Sequence, residues 1–386
     1  MSTIKVNSIK NTSTDDGGIA IDNSGHVQID GQQLPTTGAL SNRNLVINGA
    51  MQVAQRGTST TGVGTAVAYN TVDRWRFADA QNPPARYTET QSTDAPDGFG
   101  YSRKFEVTTA DSSVDADETQ YTDQFIEAQN LQHLAYGTSA AKKITLSFYV
   151  KSSVAQTFGV GLTHEDGGGN YGVSYTVNSA NTWEHKTLTF NGNTSTAINN
   201  DNGKGIRVRF GLAAGSNYAD GSDATAWEAS GTVFGQHSNT WVGTVGNTWQ
   251  ITGVQLEVGE KATPFEHRSY GDELARCQRY YYAHVDGTAI NYATGIYYSA
   301  TLIAAHIHFP VTMRAAPSLE HESGTDYYIA FANGTSDTFN SFNIARSGIN
   351  GAALDANNTG GSGTAGHGAV LGTGNANSFI AFAAEL

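Results

Sequence analysis

In IRVRFGL (206–212), Ile206, Val208 and Phe210 face one way while Arg207 and Arg209 face the other. Such period-two alternation is the mark of a strand with one dry face and one wet face. The pattern recurs from residue 44 to about 268, in LVING, RWRFADA, SRKFEVTTA, KITLSFYVKSS, QTFGVGLTHE, YGVSYTV, HKTLTFNG and WQITGVQLEVG. Clusters of Gly, Asn and Asp, such as EDGGGN (165–170) and NNDNGKG (199–205), separate the runs. About eight or nine short strands with turn signals between them predict an antiparallel sandwich of the jelly-roll type. Gly stands at 44 of 386 residues, above the usual ~7 %, and no long helical pattern competes. One short helix is predicted near 124–134, where Phe125, Ala128 and Leu131 recur at helical spacing.

The stretch ITGVQLEVGEKATPFEHRSYGDELARCQRYYY (251–282) marks a domain boundary. Its first half alternates, with Ile251, Gly253, Gln255 and Glu257 on one side and Thr252, Val254, Leu256 and Val258 on the other. Gly259 breaks the strand and Pro264 imposes an extended connector. From Ser269 a short helix is predicted, with Asp272 and Glu273 in its first turn and Arg276 and Arg279 in its last, the distribution a helix dipole favours. Leu274, Cys277 and Tyr281 form its apolar stripe.

The plan that follows is all-β. A short N-terminal β arm covers residues 1–40, and a central antiparallel jelly-roll sandwich covers 41–268. A short linking helix covers 269–282, and a C-terminal β-sandwich-like domain covers 283–386. In the arm, the isoleucines and valines alternate but are too few for a core in one copy. The expectation is that these strands are completed by other copies of the chain, and that LPTTGALSNR (34–43) is a linker. In the C-terminal domain, TLIAAHIHFPV (301–311), DYYIAFA (326–332), DTFNSFNIAR (337–346) and SFIAFAAEL (378–386) read as strands. Residues 350–377 are largely Gly, Ala, Asn and Thr, and are expected to be loop with little to offer a core.

A formal net charge of −13 repels phosphate backbones and argues against nucleic-acid binding. No apolar run approaches the ~20 residues that span a bilayer, so no membrane insertion is expected. The N-terminus has no apolar region of the signal-peptide kind. A single Cys, Cys277, excludes an intramolecular disulfide framework and a Cys-based metal site. The expectation is a soluble chain made in a reducing cytoplasm.

The glycine runs lack the GxxxxGK[ST] form and lie between strands rather than before a helix, so they do not read as phosphate sites. His306 and His308 share one strand face, but no third ligand is placed beside them, and they read as exposed or interface histidines. No GxSxG elbow is present and Cys277 lies on the packing stripe of its helix, so a nucleophilic hydrolase has no support. No cofactor is called for.

Several segments, in this order and spacing, resemble virion structural proteins identified as tail fibres of marine tailed phages. They are NLVINGAMQVAQRG (44–57), TVDRWRF (71–77), FIEAQNLQHL (125–134), ITLSFYVKSS (144–153), NTWEHKTLTF (181–190) and the boundary stretch. The first 40 residues and the last 100 resemble that family more loosely. The resemblance implies a homotrimer in the virion, as part of a tail appendage made in the host cytoplasm. It also implies attachment to other virion tail proteins through the N-terminal arm, and adhesion to a host surface glycan. The alternatives are a glycan depolymerase, which would bring two carboxylates together in a cleft, and a head decoration or connector without a receptor.

The central domain is also similar to jelly-roll carbohydrate-binding modules, whose opening strand matches residues 44–49, NLVING, and whose closing strand matches residues 251–256. Met51-Gln52 and Thr252-Gly253 replace residues, the paired acids among them, that build that family's structural calcium site, so folding without calcium is expected. Sugar recognition needs flat aromatic faces beside polar groups. Trp75 and Trp183 lie in strand patterns and are expected in the core. Trp227 and Trp241, in the irregular stretch GSDATAWEASGTVFGQHSNTWVG (221–243), are the first ligand-binding candidates. Tyr171, Tyr327 and Tyr328 complete the candidate set; the last two point to opposite faces of one strand.

Overall fold

A computed structural model describes residues 8–10, 18–21, 27–29, 32–33, 41–81, 83–357 and 363–386. The chain divides into two compact units, Met1–Gln52 with Gly57–Arg268, and Val53–Arg56 with Ser269–Leu386. Residues 34–40 of the expected linker lie outside the described residues.

In the first unit two antiparallel sheets make a sandwich. One runs in the order Glu184–Phe190, Ile144–Ser152, Thr248–Val258, Ser102–Thr109, Arg86–Ser92, Ser59–Val63. The other runs Gly169–Thr176, Thr157–His164, Lys204–Ala214, Thr119–Glu127, Arg76–Ala80. Alternation sorts their faces as the sequence predicts, placing Ile206, Val208 and Phe210 in a core with Trp75, Phe77, Phe105, Phe148, Phe158 and Trp249. These large rings interlock at tilted and edge-on angles, the arrangement aromatic quadrupoles favour.

Strand Thr248–Val258 departs from strict alternation. Ser147 is paired with Gln255 but Tyr149 with Thr252, so two residues, Gly253 and Val254, stand opposite the single residue Phe148. Gly253 adopts φ +61°, the left-handed geometry of a bulge. The bulge resets the parity of the strand, so Ile251 joins Val254 and Leu256 in the core. A methyl group at Gly253 would also meet Phe99 Cζ at 2.7 Å.

The opening segment is clamped to this strand. Asn44 donates from Nδ2 to Val254 O (2.9 Å), and its Oδ1 accepts from Val46 N (3.0 Å) and Leu256 N (3.1 Å). Glu266, after the Pro264 turn, accepts from the backbone of Arg43 and Asn44 at 3.1 and 3.0 Å. Gln124 grips the same segment from the other sheet, exchanging 2.8 Å hydrogen bonds with both backbone groups of Ile47.

Polar links also cross the core. Tyr87 donates to Gln120 (2.7 Å) and Trp249 donates to Tyr175 (3.1 Å). Arg103 and Glu89, both with wholly buried side chains, pair at 3.0 Å, and Arg103 reaches across to Thr122. Glu89 further accepts from Asn70 (3.1 Å) and Thr71.

One side of the five-stranded sheet is roofed by the irregular segment that follows strand Lys204–Ala214. A methyl group at Gly161 would lie 2.0 Å from Val233 O, and one at Gly159 2.5 Å from Phe234 Cβ, so glycine is what lets the roof lie flat. His237 pins it, accepting from Gly159 N through Nδ1 at 2.9 Å. Burial pushes this imidazole down to about 4.

The N-terminal strands Ser8–Lys10, Gly18–Ile21, Val27–Ile29 and Gln32–Gln33 form an antiparallel meander. These strands pair with one another along the backbone, and Ile9, Ile19 and Ile21 stay exposed.

In the second unit the helix spans Tyr270–Gln278, with Ser269 Oγ accepting from Asp272 N at 3.2 Å as its N-cap. It ends earlier than predicted. Tyr281 opens the strand Tyr281–Asp286, and Cys277 alone of the expected stripe is buried on the helix. Residues 53–56 join this unit: Gln55 donates to Tyr281 O (2.7 Å) and Arg56 lies 3.4 Å over the Tyr281 ring. A three-stranded sheet (Tyr281–Asp286, Phe379–Ala383, Ser318–His321) accompanies a seven-stranded one. The latter contains Gly351–Asn357 and Gly368–Thr373, so part of the expected loop is strand. Ala352, Leu354, Ala356, Ala369 and Leu371 are buried there, because small side chains suit crowded central strands. Residues 358–362 lie outside the described residues.

Two predictions follow from this frame. Glu89→Ala leaves a buried guanidinium unpaired and should cost about 3–5 kcal/mol, whereas Glu89→Met combined with Arg103→Met should recover most of the loss. Urea unfolding of the two variants beside the wild type checks this, and a loss below about 1 kcal/mol for Glu89→Ala would contradict it. His237 binds a proton less readily folded than unfolded, so its contribution is complete above the ordinary histidine value of 6.5 and fades as pH falls toward about 4. Thermal unfolding of the wild type should therefore lose stability across that window, and His237→Asn should flatten the loss.

Candidate ligand-binding face

Beyond the roof, the outward side of the five-stranded sheet is a charged floor. Its residues are those that alternate with the core: Arg207 and Arg209 on one strand, Tyr121, Asp123 and Phe125 on the next, and Arg76 on the edge strand. Cross-strand register brings them together, pairing Arg207 with Phe125, Arg209 with Asp123, and Asp123 with Arg76.

Arg76 grips Asp123 with both prongs, Nε to Oδ1 at 2.9 Å and Nη2 to Oδ2 at 2.6 Å. Arg207 donates from Nε to Glu165 (2.7 Å) and stands 3.7 Å from Asp123. Lys204 Nζ, Arg76 Cζ and Arg207 Cζ lie 4.2, 4.6 and 4.9 Å from the centre of the Phe125 ring. Arg209 lies 5.3 Å over Tyr121 and 4.0 Å from Glu165. At the rim, Thr163 donates to Asn170 Oδ1 (2.7 Å) and Asn170 Nδ2 donates to Gly231 O (2.9 Å).

The electrostatics follow the packing. Burial works against the charge of Arg76, but Asp123 outweighs it and the net shift is upward. Burial, with Arg207 beside it, brings Arg209 down to about 10, still charged at neutral pH. Burial lowers Lys204, and Arg76 and Arg207 add to the effect. The floor gathers guanidinium donors and two carboxylates in one recess, over the buried Phe125 ring. That combination suits a polar ligand rich in hydrogen-bonding groups.

The sequence candidates are placed otherwise. Trp241 is wholly buried, stacked on Tyr87 at 5.6 Å with its Nε1 on Leu212 O at 2.6 Å, so it offers no face to a ligand. Tyr171 and Tyr328 are core residues too, the latter donating to Glu322 O (2.7 Å). Tyr327 is half-buried and, contrary to expectation, precedes the strand Tyr328–Ala332 and packs against the same core. Trp227 is half-buried and packs its loop down, edge-to-face with Tyr136, His164 and Tyr171 and with Nε1 on Asn191 O at 2.7 Å. Trp183, expected in the core, is instead half-exposed beyond the six-stranded sheet: Asp94 accepts from its Nε1 at 3.2 Å, and Lys151 Nζ stands 5.8 Å over its ring. Trp75 is in the core. His306 and His308 are exposed with ring centres 4.5 Å apart.

Phe125 is the residue of this face that helical spacing concealed. It belongs to strand Thr119–Glu127, and only the following Ala128–Leu134 is helical, as a 3₁₀ segment. Alternation sets Arg207 and Arg209 on the face away from the core, as expected, but Arg209 is buried there rather than wet. The calcium site of the similar binding modules does not fit here. Met51 is buried in the core, Thr252 spends its hydroxyl on Tyr101 O (2.7 Å), and Gly253 is the bulge. None of the three is a carboxylate donor.

No family model and no curated protein matches the chain. Among solved structures it is similar to the enzymatically active domain of tailspike protein 4 of bacteriophage CBA120, at 14% identity and a TM-score of 0.31, covering 56% of this chain and 21% of that one. It is similar to TmCBM61 in complex with β-1,4-galactotriose, at 10% identity and a TM-score of 0.28, covering 56% of this chain and 100% of that one. A likeness to the CBM22-1 xylan-binding domain from Paenibacillus barcinonensis Xyn10C has 9% identity and a TM-score of 0.28, covering 59% and 100% of the two chains. The chain thus spans about a fifth of the length of the tailspike domain it matches.

Proposed function

We propose that this chain is an adhesive, non-catalytic component of a tailed-phage particle, a tail-fibre protein that binds a host cell-surface glycan. The observation that carries the binding reading is the recess on the five-stranded sheet, where Arg76, Asp123, Arg207, Arg209 and Glu165 surround the rings of Phe125 and Tyr121. A pyranose carries hydroxyls around its rim, which guanidinium donors and carboxylate acceptors answer. The virion setting rests on the ordered segments that resemble phage tail fibres. Asp123 and Glu165 are each engaged by an arginine, which suits binding better than the proton donation a glycosidase acid must perform. The exposed isoleucines of the N-terminal meander support assembly of this arm with other copies or with virion tail proteins.

Purified protein should compete with virions for adsorption to host cells, and Arg207→Ala should weaken that competition by about tenfold or more at unchanged fold. If Trp183→Ala has that effect and Arg207→Ala none, the receptor surface lies beyond the six-stranded sheet. Release of reducing ends from host polysaccharide would establish the depolymerase alternative. The protein should also be a homotrimer: light scattering at micromolar concentration should report about three times the 40.8 kDa chain mass, and a species at 40.8 kDa would refute the trimer.

A further inference from the structure

The chain as a whole is acidic, with a formal net charge of −13. The recess is not. Four cations, Arg76, Lys204, Arg207 and Arg209, face two carboxylates, Asp123 and Glu165, which leaves a local excess of positive charge. The cations also differ in how well they are satisfied. Arg76 has both prongs on Asp123, and Arg207 has Nε on Glu165. Arg209 is only 7% exposed, its nearest ion-pair contact is 4.0 Å from Glu165, and its Nε has no hydrogen-bond partner among the described residues. A buried guanidinium left in this state is costly, since desolvation is recovered only through close pairing. Burial and the neighbouring Arg207 depress its proton affinity, as expected for a cation short of counter-charge.

We infer that the recess is built for a glycan carrying an anionic substituent, a carboxylate or a sulfate ester, seated on Arg209 with Arg207 beside it. This rests on the glycan-binding reading above and names the class of sugar. A neutral hydroxyl supplies a lone pair but no charge, whereas an anionic oxygen supplies the charge-assisted hydrogen bond that the Arg209 fork lacks. Phe125 holds three of the cations over its ring, so the site is arranged before the ligand arrives. The negative surface elsewhere disfavours long polyanions such as nucleic acid and leaves anionic groups spaced along a saccharide as the fitting form.

The test uses the full-length protein on an array of neutral, uronic-acid-bearing, sialylated and sulfated oligosaccharides, with a single-stranded oligonucleotide as a further arm. Binding should be confined to anionic sugars, should vanish when uronic carboxylates are methyl-esterified or sulfates removed, and should fall at least about tenfold in about 0.5 M salt. The carboxylated and sulfated arms identify which anion is taken. Arg209→Gln should lose at least about tenfold in affinity with a melting temperature no lower than the wild type's, and Arg209→Lys should retain part of the affinity. If Arg209→Gln does not fold, esterified ligand and salt dependence with the wild type decide the matter. Equal binding of neutral or esterified sugars overturns the inference while leaving glycan binding intact, as oligonucleotide binding at the strength of the best acidic sugar overturns it in favour of phosphate recognition. Absence of binding to every glycan, host surface extract included, removes the glycan reading itself.

Discussion

Hydrogen bonds across the dry interior of the sandwich hold its two sheets in one register, and the outward recess depends on them. Strand Thr119–Glu127 shows the dependence most directly. Its inward residues Gln120, Thr122 and Gln124 are held by Tyr87, Arg103 and the Ile47 backbone. Its outward residues Tyr121, Asp123 and Phe125 alternate with these. A strand whose inward side chains are fixed by directional bonds cannot slip, because a shift of one residue would exchange the two sets. Apolar packing alone would fix this strand less firmly, since its inward face is unusually polar. The stability of the core and the geometry of the charged floor are therefore consequences of the same bonds.

The resemblance to phage fibres acquires a physical content from this arrangement. Asn44, in NLVING, closes the sandwich by bonding both to Val46 of its own segment and to strand Thr248–Val258. Asn48, in the same segment, receives Trp75 Nε1 at 3.2 Å, which ties NLVING to DRWRF. These residues are buried and hold architecture. Yet Arg76 and Phe125 belong to the same segments, TVDRWRF and FIEAQNLQHL, and lie on the outward floor. Segments that read as structural signatures thus also furnish part of the recess.

The roof illustrates how irregular chain becomes ordered. Segment 218–238 has little alternation, yet glycines on the sheet beneath it allow backbone-to-backbone approach, and Phe234 and His237 anchor it. The following Trp241 completes the core from a position with no strand pattern around it. A buried indole in a loop is read from sequence as an exposed anchor because its packing partners, Tyr87 and Leu212, lie far away in the chain.

Local patterning by itself determined the all-β class, the placing of Arg207 and Arg209 on the face away from the core, and the helix start at Ser269, because each depends on neighbours within a few residues. Tertiary structure alone decided the rest. Whether Phe125 continued a helix or ended a strand was settled by its pairing with Arg207 across the sheet. The bulge at Gly253, which turned Ile251 inward, answers to the partner strand and not to its own sequence. The alanine-rich strands after residue 350 are stable only because neighbouring strands cover them. The recess itself joins residues from 76 to 209, and no local pattern can state that their charges meet. That meeting is set by strand register, a property of the whole sheet.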